Sequence, residues 1–236
     1  MSKPTTALLL MLAPLGFGAE RPAAAAGAEL TISESESADY SPAVAYNSLH
    51  DEYLVVWEEI AADGSHDLFA RRVTAGGVLL ATFAVATSGN DQVEPAVAFD
   101  PVNDRYLVTW SYDYWGDGSD WDIVGRFIPW SGPTPGLADF GICTWTSSQA
   151  HSTVAYGGAN QELLVAWINF APAVPAYVSA RRVFADGTGF PPDDGFTVWS
   201  GAQPADYPDV AYNGARAEYL VTWDVFFSVS NIDIYA

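Results

Sequence analysis

The chain has very few basic residues and only one cysteine. Its 236 residues include 29 acidic but only nine basic ones, for a formal net charge of −20, and the single lysine is Lys3. A surface of this charge repels nucleic acid and anionic lipid, which argues against both as partners. Because Cys143 is the only cysteine, an intrachain disulfide is excluded. Stability must therefore come from packing, for which half of the residues are hydrophobic.

Long apolar runs and helical periodicity are also missing from most of the chain. The exception is the segment 1–26, which combines Lys3, an apolar stretch from Ala7 to Ala19 and the small residues Ala23 to Ala26. That order is typical of a secretory signal peptide. We therefore expect a secreted protein, extracellular or periplasmic, whose folded domain spans 27–236 and does not insert into a membrane.

One sequence unit occurs four times. Each copy has a first block that ends in an aromatic residue and a second block that ends in tryptophan. The first blocks are Pro42–Tyr46, Pro95–Phe99, Ser152–Tyr156 and Pro208–Tyr212, and the second are Tyr53–Trp57, Tyr106–Trp110, Leu163–Trp167 and Tyr219–Trp223. A repeat of about 55 residues made of short apolar runs predicts a stacked β array.

The repeat predicts an all-β fold of β-propeller type. Each unit contains four short runs rich in β-branched and aromatic residues, bounded by turn residues. The second run is apolar on both faces, so it must lie between two sheets. Four-stranded antiparallel units stacked face to face are propeller blades, and a linear β stack is the alternative. The predicted repeats span about 40–92, 93–150, 151–206 and 207–236.

The spacing of the repeats suggests two ways in which the array could end. Leu30–Ile32 precedes the first repeat by the same number of residues as each fourth run precedes the repeat that follows it. The last repeat lacks its fourth run. Pairing of these two ends would close a four-bladed ring and hide both sheet edges. Because Asn231–Ala236 stops where the other copies continue, we favour a fragment of a larger propeller.

The repeat also resembles a known class of sequences. The pattern Pro-x-Val-Ala-Tyr-Asn, then Tyr-Leu-Val-Val-Trp, then Asp-Ile-x-x-Arg-Val resembles tandem repeats of large secreted bacterial proteins. Those proteins are mostly uncharacterised and are taken to be β-propellers. The resemblance covers about 30–236, implies the same fold and says little about activity.

The loop Ser111–Asp122 is the strongest candidate for a binding site. Aromatic rings next to carboxylates suit a glycan, since rings stack on sugar faces while carboxylates accept hydroxyl protons. The residues predicted to bind such a ligand are Tyr112, Asp113, Tyr114, Trp115 and Trp121. Calcium, which prefers carboxylate ligands, is the second possibility, held by Asp113, Asp117 and Asp120. The third possibility is a solvated hairpin tip without a ligand.

Other polar residues follow the repeat and are predicted to be structural. An aspartate recurs as Asp67, Asp122 and Asp233. An arginine recurs as Arg71 and Arg126, four residues after the first two aspartates, and as Arg181 in the third repeat. An active site is needed once, whereas a packing device is needed in every blade. We therefore predict that these residues fix the blades to one another.

No catalytic residue is predicted. The three histidines, His50, His66 and His151, lack metal-ligand spacing, and no serine lies in a nucleophile elbow. We therefore expect a non-catalytic binding or scaffolding module for an extracellular glycan, protein or calcium. The alternative is a carbohydrate-active hydrolase or lyase on the same scaffold. It requires one unique pair of carboxylates at the central channel and a carboxyl group of raised pKa.

Overall fold

All regular structure in this protein is β-strand. The computed structural model describes residues 29–184 and 195–236, and every regular element there is a strand. Thr31–Ala236 forms one compact unit, and only residues 29 and 30 of the other unit, Met1–Leu30, are described. The predicted signal peptide 1–26 thus lies outside the described residues. Within the described ranges no helix is long and apolar enough to cross a membrane.

The strands form four antiparallel sheets that follow one another along the chain. Sheet 1 contains β1 (Asp39–Asn47), β2 (Glu52–Ile60), β3 (His66–Thr74) and β4 (Leu79–Ala86). Sheet 2 contains β5 (Gln92–Asp100), β6 (Arg105–Asp113), β7 (Trp121–Pro129) and β8 (Phe140–Cys143). Sheet 3 contains β9 (Ser148–Gly157), β10 (Glu162–Phe170), β11 (Tyr177–Phe184) and β12 (Phe196–Trp199). Sheet 4 contains β13 (Ala205–Asn213), β14 (Glu218–Ser228) and β15 (Asn231–Tyr235).

Each sheet pairs its strands in sequence order, as in a propeller blade. The first strands of consecutive sheets are neighbours, so β5 lies beside β1, β9 beside β5 and β13 beside β9. The four predicted runs of each repeat lie within these strands, which confirms the all-β fold and its division into four-stranded units.

The hydrophobic core lies between consecutive sheets. One cluster joins sheets 1 and 2, for example Leu54 to Tyr106, and another joins sheets 2 and 3, for example Leu107 to Trp167. The second strands of sheets 2 and 3 are buried on both faces, as predicted, whereas Tyr53 of β2 and Leu220 of β14 are exposed. β10 is the clearest case, since eight of its nine residues are buried. A strand covered on both sides can be apolar throughout, and this explains the sequence of the second block.

Arg126 and Arg181 join neighbouring sheets, as predicted, and Arg71 binds the segment ahead of sheet 1. Arg71 Nη1 donates a hydrogen bond to the Ile32 carbonyl at 2.8 Å, and Arg181 Nη1 donates to the Ile142 carbonyl at 2.6 Å. Arg126 Nη1 donates in the same way to the Val85 carbonyl. Each acceptor lies just before the repeat that carries the arginine. The recurring arginine therefore satisfies a backbone group of the preceding unit.

The structure does not show the predicted closure of the ring. Leu30–Ile32 is not a strand, and sheet 4 has only three strands in the described part of the chain. Ile32 accepts the bond from Arg71 but does not pair with β15. A short segment becomes a strand only when a sheet edge offers it backbone hydrogen bonds, and the bond described for Ile32 comes from the Arg71 side chain. The expectation of a fourth strand at this position was wrong.

Candidate active site

Each first strand contains a β-bulge at the same repeat position. In all four sheets, two residues of the first strand stand opposite the repeated tryptophan of the second strand. The first bulge residue has a left-handed backbone in every case, with φ of 48° at Ser41, 56° at Glu94, 55° at His151 and 49° at Tyr207. Non-glycine residues seldom adopt this conformation, and such strain concentrates at functional sites.

The four bulges meet at one place. Ser41, Glu94, His151 and Tyr207, each with the residue that follows it, line a single cavity of about 320 Å³. Because these residues come from four neighbouring first strands, the cavity lies where the four sheets converge; we call it the axial cavity. A bulge turns a side chain out of the normal alternation of a strand. Here it brings four side chains from four sheets into one cavity.

A chain of hydrogen bonds runs from sheet to sheet around the axial cavity. Glu58 Oε2 accepts a bond from the Glu94 backbone N–H at 3.1 Å, and Glu94 Oε2 accepts one from the His151 N–H at 3.1 Å. His151 Nδ1 contacts Asp206 Oδ1, which also accepts a bond from the Tyr207 N–H at 2.9 Å. Three carboxylates therefore hold three of the four strained bulges in place.

The His151 ring joins two carboxylates. Its Nε2 lies 2.9 Å from Glu94 Oε1, while its Nδ1 contacts Asp206. Burial alone would lower the pKa of His151, but the hydrogen bonds to Asp206 and Glu94 raise it to about 10. Burial alone would likewise raise the pKa of Glu94, but its bond to His151 and the charge there hold it below the usual value. At neutral pH the cavity thus contains an imidazolium beside an ionised Glu94.

Two further groups complete the site. The Tyr207 ring stacks on His151, with ring centroids 4.9 Å apart and planes within 9° of parallel, and it is 62% exposed. An exposed, fixed aromatic ring can stack on the apolar face of a ligand. On the other side Glu58 is buried, and its Oε1 lies 2.6 Å from His66 Nδ1. The site therefore combines carboxylates, a cation and an aromatic surface.

The loop chosen from the sequence has a different arrangement from the one expected. Asp113 is buried and accepts a bond from the Gly118 N–H at 2.8 Å, while Trp121 Nε1 donates to the Gly118 carbonyl at 3.2 Å. These two side chains thus stabilise their own loop. Tyr114 and Trp115 are exposed and pack edge to face, with centroids 4.7 Å apart. Of the five predicted glycan ligands, the exposed aromatic pair is best placed to meet a partner.

The predicted calcium ligands do not form a metal cluster. Asp117 accepts a bond from the Ser119 N–H at 3.0 Å, and Asp113 is used by its own loop. In residues 29–184 and 195–236 no group of three or more histidine, cysteine, aspartate or glutamate side chains is arranged for a metal ion. Calcium binding through Asp113, Asp117 and Asp120 stays a prediction without support from this geometry.

One repeated aspartate titrates unusually. Asp122 is 5% exposed, and burial together with the negative charge of Asp120 raises its pKa to about 6. Burial also raises the pKa of Asp67 at the equivalent position of sheet 1. The hydrolase alternative requires a carboxyl group of raised pKa at the central channel, but Asp122 does not line the axial cavity, and the pKa of Glu94 there is lowered.

Sequence reasoning missed the axial residues as a group. Glu94 and Asp206 belong to no recognisable sequence motif, and His151 is one of three histidines without metal-ligand spacing. The available signal was the position just before Pro42, Pro95, Ser152 and Pro208. The residues after it are nearly constant among repeats, whereas the position itself varies completely. A variable position inside a constant structural repeat is what a unique site requires.

Comparison with known proteins places the fold among β-propellers. No family model matches the chain, and no curated protein matches it in sequence. An endo-arabinase from Bacteroides thetaiotaomicron is similar in structure, with a TM-score of 0.58, 12% identity and coverage of 83% of this chain and 73% of that one. An N-acetylgalactosamine deacetylase from F. plautii, in complex with blood group B trisaccharide, has a TM-score of 0.55 and 13% identity, with coverage of 80% of this chain and 62% of that one. The Hadza microbial sialidase Hz136 has a TM-score of 0.60 and 9% identity, with coverage of 80% of this chain and 42% of that one.

These comparisons correct the functional expectation. At this level of identity the likeness establishes the fold alone, and the chain spans less than two thirds of the deacetylase and sialidase chains. The similar structures are nevertheless carbohydrate-active enzymes. The expected non-catalytic binding or scaffolding module is therefore contradicted, and the findings favour the alternative, a carbohydrate-active enzyme on a propeller scaffold.

Proposed function

We propose that this protein is a carbohydrate-active hydrolase whose reaction centre is the axial cavity. One observation carries the proposal: four equivalent bulge positions hold four different side chains, two of them ionisable. A structural device would be repeated in every sheet, whereas Glu94, His151 and Asp206 occur as one unique set. Secretion through the segment 1–26 is part of the same proposal, since polymeric glycans lie outside the cell.

The two carboxyl groups joined by His151 suit hydrolysis of a glycosidic bond. An imidazole that binds one carboxylate at each nitrogen holds the two oxygens roughly 7 Å apart. Hydrolases that invert the anomeric centre have a similar separation. Since the His151 ring lies between these two oxygens, the sugar and the attacking water bind on the open side of that ring. Glu94, which is ionised, takes the proton from the attacking water. The proton held between His151 Nδ1 and Asp206 Oδ1 passes to the leaving oxygen as the C–O bond breaks.

The substrate class follows from the surface of the cavity. The exposed Tyr207 ring offers a stacking surface for one face of a sugar ring. The excess of carboxylates around it disfavours an acidic sugar, because like charges repel at short range. We therefore propose a neutral glycan, and α-L-arabinosyl polymers are the first to assay, since two of the similar structures are arabinan-degrading enzymes.

The decisive experiment is a substrate screen of the full chain with one matched pair of variants. Purified protein is tested on arabinans, other neutral glycans, sialosides and aryl glycosides, with product analysis by chromatography and NMR. We expect hydrolysis of a neutral glycoside, and Glu94→Gln should lower kcat/KM about 100-fold or more, because it removes the base. Glu218→Gln is the control, since Glu218 is an exposed carboxylate of sheet 4 paired with Arg216.

Two results would overturn the proposal. Absence of turnover on every glycoside tested would remove the hydrolase, and full activity of Glu94→Gln would remove the axial cavity as its centre. An unsaturated product would instead indicate a lyase. The anomeric configuration of the first product tests the proposed separation of the two carboxyl groups, because that geometry requires inversion.

A further inference from the structure

A second cavity lies between sheets 1 and 2. It has a volume of about 310 Å³ and is bounded by the chain that links β4 to β5, by β6 and β7, and by the region around β8. We call it the interblade cavity. It shares no lining residue with the axial cavity. Whatever occupies one of these cavities therefore contacts different side chains from whatever occupies the other.

Buried polar atoms line the interblade cavity without a partner. Trp110 is 1% exposed and its Nε1–H has no acceptor, and Gln92 is 1% exposed and its Oε1 has no donor, within the described part of the chain. Asp122 also lines the cavity, and burial together with the charge of Asp120 raises the pKa of its carboxyl group. Buried polar groups are nearly always satisfied, so two open ones beside one cavity indicate a ligand.

Sheet 3 provides a partial internal comparison, since its tryptophan is satisfied, whereas Oε1 of Gln149, the equivalent of Gln92, also has no partner in the described ranges. Trp167 is the equivalent of Trp110, and its Nε1 donates to Asn169 Oδ1 at 3.1 Å. Asn169 Nδ2 in turn donates to Ser179 Oγ at 2.8 Å. Asn169 pairs with Tyr177 across the strands, as Tyr112 pairs with Asp122 in sheet 2. Sheet 3 thus satisfies its tryptophan internally, whereas Nε1 of Trp110, like that of Trp57 and Trp223, has no partner among the described residues. Of these three tryptophans, Trp110 is the one that lines the interblade cavity.

The lining of the cavity indicates what it would bind. Tyr112 and Tyr114 add aromatic rings, and the open polar groups are one donor, Trp110 Nε1–H, and one acceptor, Gln92 Oε1. The carboxyl groups of Asp122 and Asp139 also line the cavity and disfavour an anion, while Arg126 Nε donates to Asp139 at 2.6 Å. A neutral ligand with several hydroxyl groups and one apolar face satisfies all of these groups at once, because each hydroxyl both donates and accepts.

We propose that the interblade cavity binds one neutral sugar ring, as a carbohydrate site separate from the axial cavity. Trp110 Nε1–H donates to a ring hydroxyl, Gln92 Oε1 and Asp122 accept from neighbouring hydroxyls, and the tyrosine rings cover the apolar face. The proposal does not depend on turnover at the axial cavity. A protein with no hydrolase activity at all could still bind a sugar here.

The test follows the indole N–H signals of the nine tryptophans by NMR in the full chain labelled with ¹⁵N. Arabinose, galactose and glucose are titrated separately, and Trp110→Phe identifies the signal of Trp110. We expect a saturable shift of that signal with at least one sugar. Asp122→Ala and Tyr114→Ala should weaken binding about tenfold each, since each loses one good contact, while the signals of Trp57 and Trp223 confirm that the variants are folded.

Axial variants separate this proposal from the proposed function. Glu94→Gln should leave the Trp110 titration unchanged, even if it abolishes hydrolysis. The proposal is overturned if no sugar shifts the Trp110 signal, if the shift disappears in Glu94→Gln, or if tetramethylammonium shifts the signal while sugars do not. In the last case the cavity would be a cation site.

Discussion

His151 illustrates how a single residue connects three sheets. It belongs to sheet 3, bonds to Glu94 of sheet 2 and contacts Asp206 of sheet 4. Because its pKa is raised, its protonated form is the one stabilised by the fold. That contribution to stability is fully present below the ordinary histidine pKa and is lost as the pH rises through about 10. The ordinary histidine pKa near 6.5 thus marks the lower end of the window in which the loss occurs.

His151→Gln should therefore destabilise the protein in a pH-dependent way. We expect a loss of about 1–2 kcal/mol in the free energy of unfolding at pH 7, because two charge-assisted hydrogen bonds become neutral ones on a partly exposed ring. The difference from the wild type should shrink as the pH approaches 10. Urea unfolding at several pH values measures it.

Ser41→Ala is the control for this prediction. Ser41 occupies the equivalent bulge position of sheet 1 and lines the same cavity, but it carries no titrating group. Its effect on stability should not change between pH 7 and 10. If His151→Gln also gave a constant difference over that range, the imidazolium between the two carboxylates would be refuted.

At the scale of strands, side-chain volume is adjusted from sheet to sheet. The third strands carry a small residue at one repeated position, Ala70 in sheet 1, Gly125 in sheet 2 and Ala180 in sheet 3. The repeated small residue predicts that neighbouring side chains approach the backbone closely there, and the surroundings of Gly125 confirm it. A Cβ at Gly125 would lie 2.9 Å from Ile142 Cδ1 and 3.3 Å from Leu107 Cδ1. Sheet 2 uses glycine because Ile142 fills the space that a methyl group occupies elsewhere.

Gly125→Ala should destabilise the protein by about 1–2 kcal/mol, since it adds a methyl group to a core that is already filled. Ile142→Val removes the Cδ1 atom that the new methyl group would meet. Hence the double variant should lose less than the sum of the two single variants, by about 1 kcal/mol. Denaturant unfolding of the four proteins gives this coupling directly. Purely additive effects would contradict the contact.

The strands were predictable from the sequence because the same pattern of apolar residues occurs in all four repeats. Val-Ala-Tyr and Leu-Val-Trp blocks are constrained by burial, and burial is periodic along a strand. The bulges were not predictable in this way. Ser41, Glu94, His151 and Tyr207 share a left-handed backbone that serine, glutamate and tyrosine seldom adopt, although histidine is among the residue types enriched there. Local propensity therefore argues against the conformation, and only the tertiary bonds to neighbouring sheets enforce it.

At the scale of the molecule, the sheets are held by packing and by arginines against a large net charge. A formal charge of −20 implies mutual repulsion among exposed carboxylates, which destabilises the compact state. Only a few arginines oppose it, and three of them hydrogen-bond to backbone carbonyls of the preceding segment. Salt screens such repulsion, with a Debye length of about 8 Å at 0.15 M ionic strength.

The melting temperature should therefore rise as sodium chloride is increased from about 0.02 to 0.3 M, over which range the screening length falls several-fold. A variant in which the exposed residues Glu34, Glu36 and Glu218 are replaced by glutamine should show a smaller rise, because it has less charge to screen.

Calcium chloride and magnesium chloride are then compared at equal ionic strength. Equal shifts are expected, since both ions screen the same surface and the described residues contain no group of three metal-ligating side chains. An excess for calcium that disappears in Asp117→Asn would contradict this and would establish the loop Ser111–Asp122 as a calcium site.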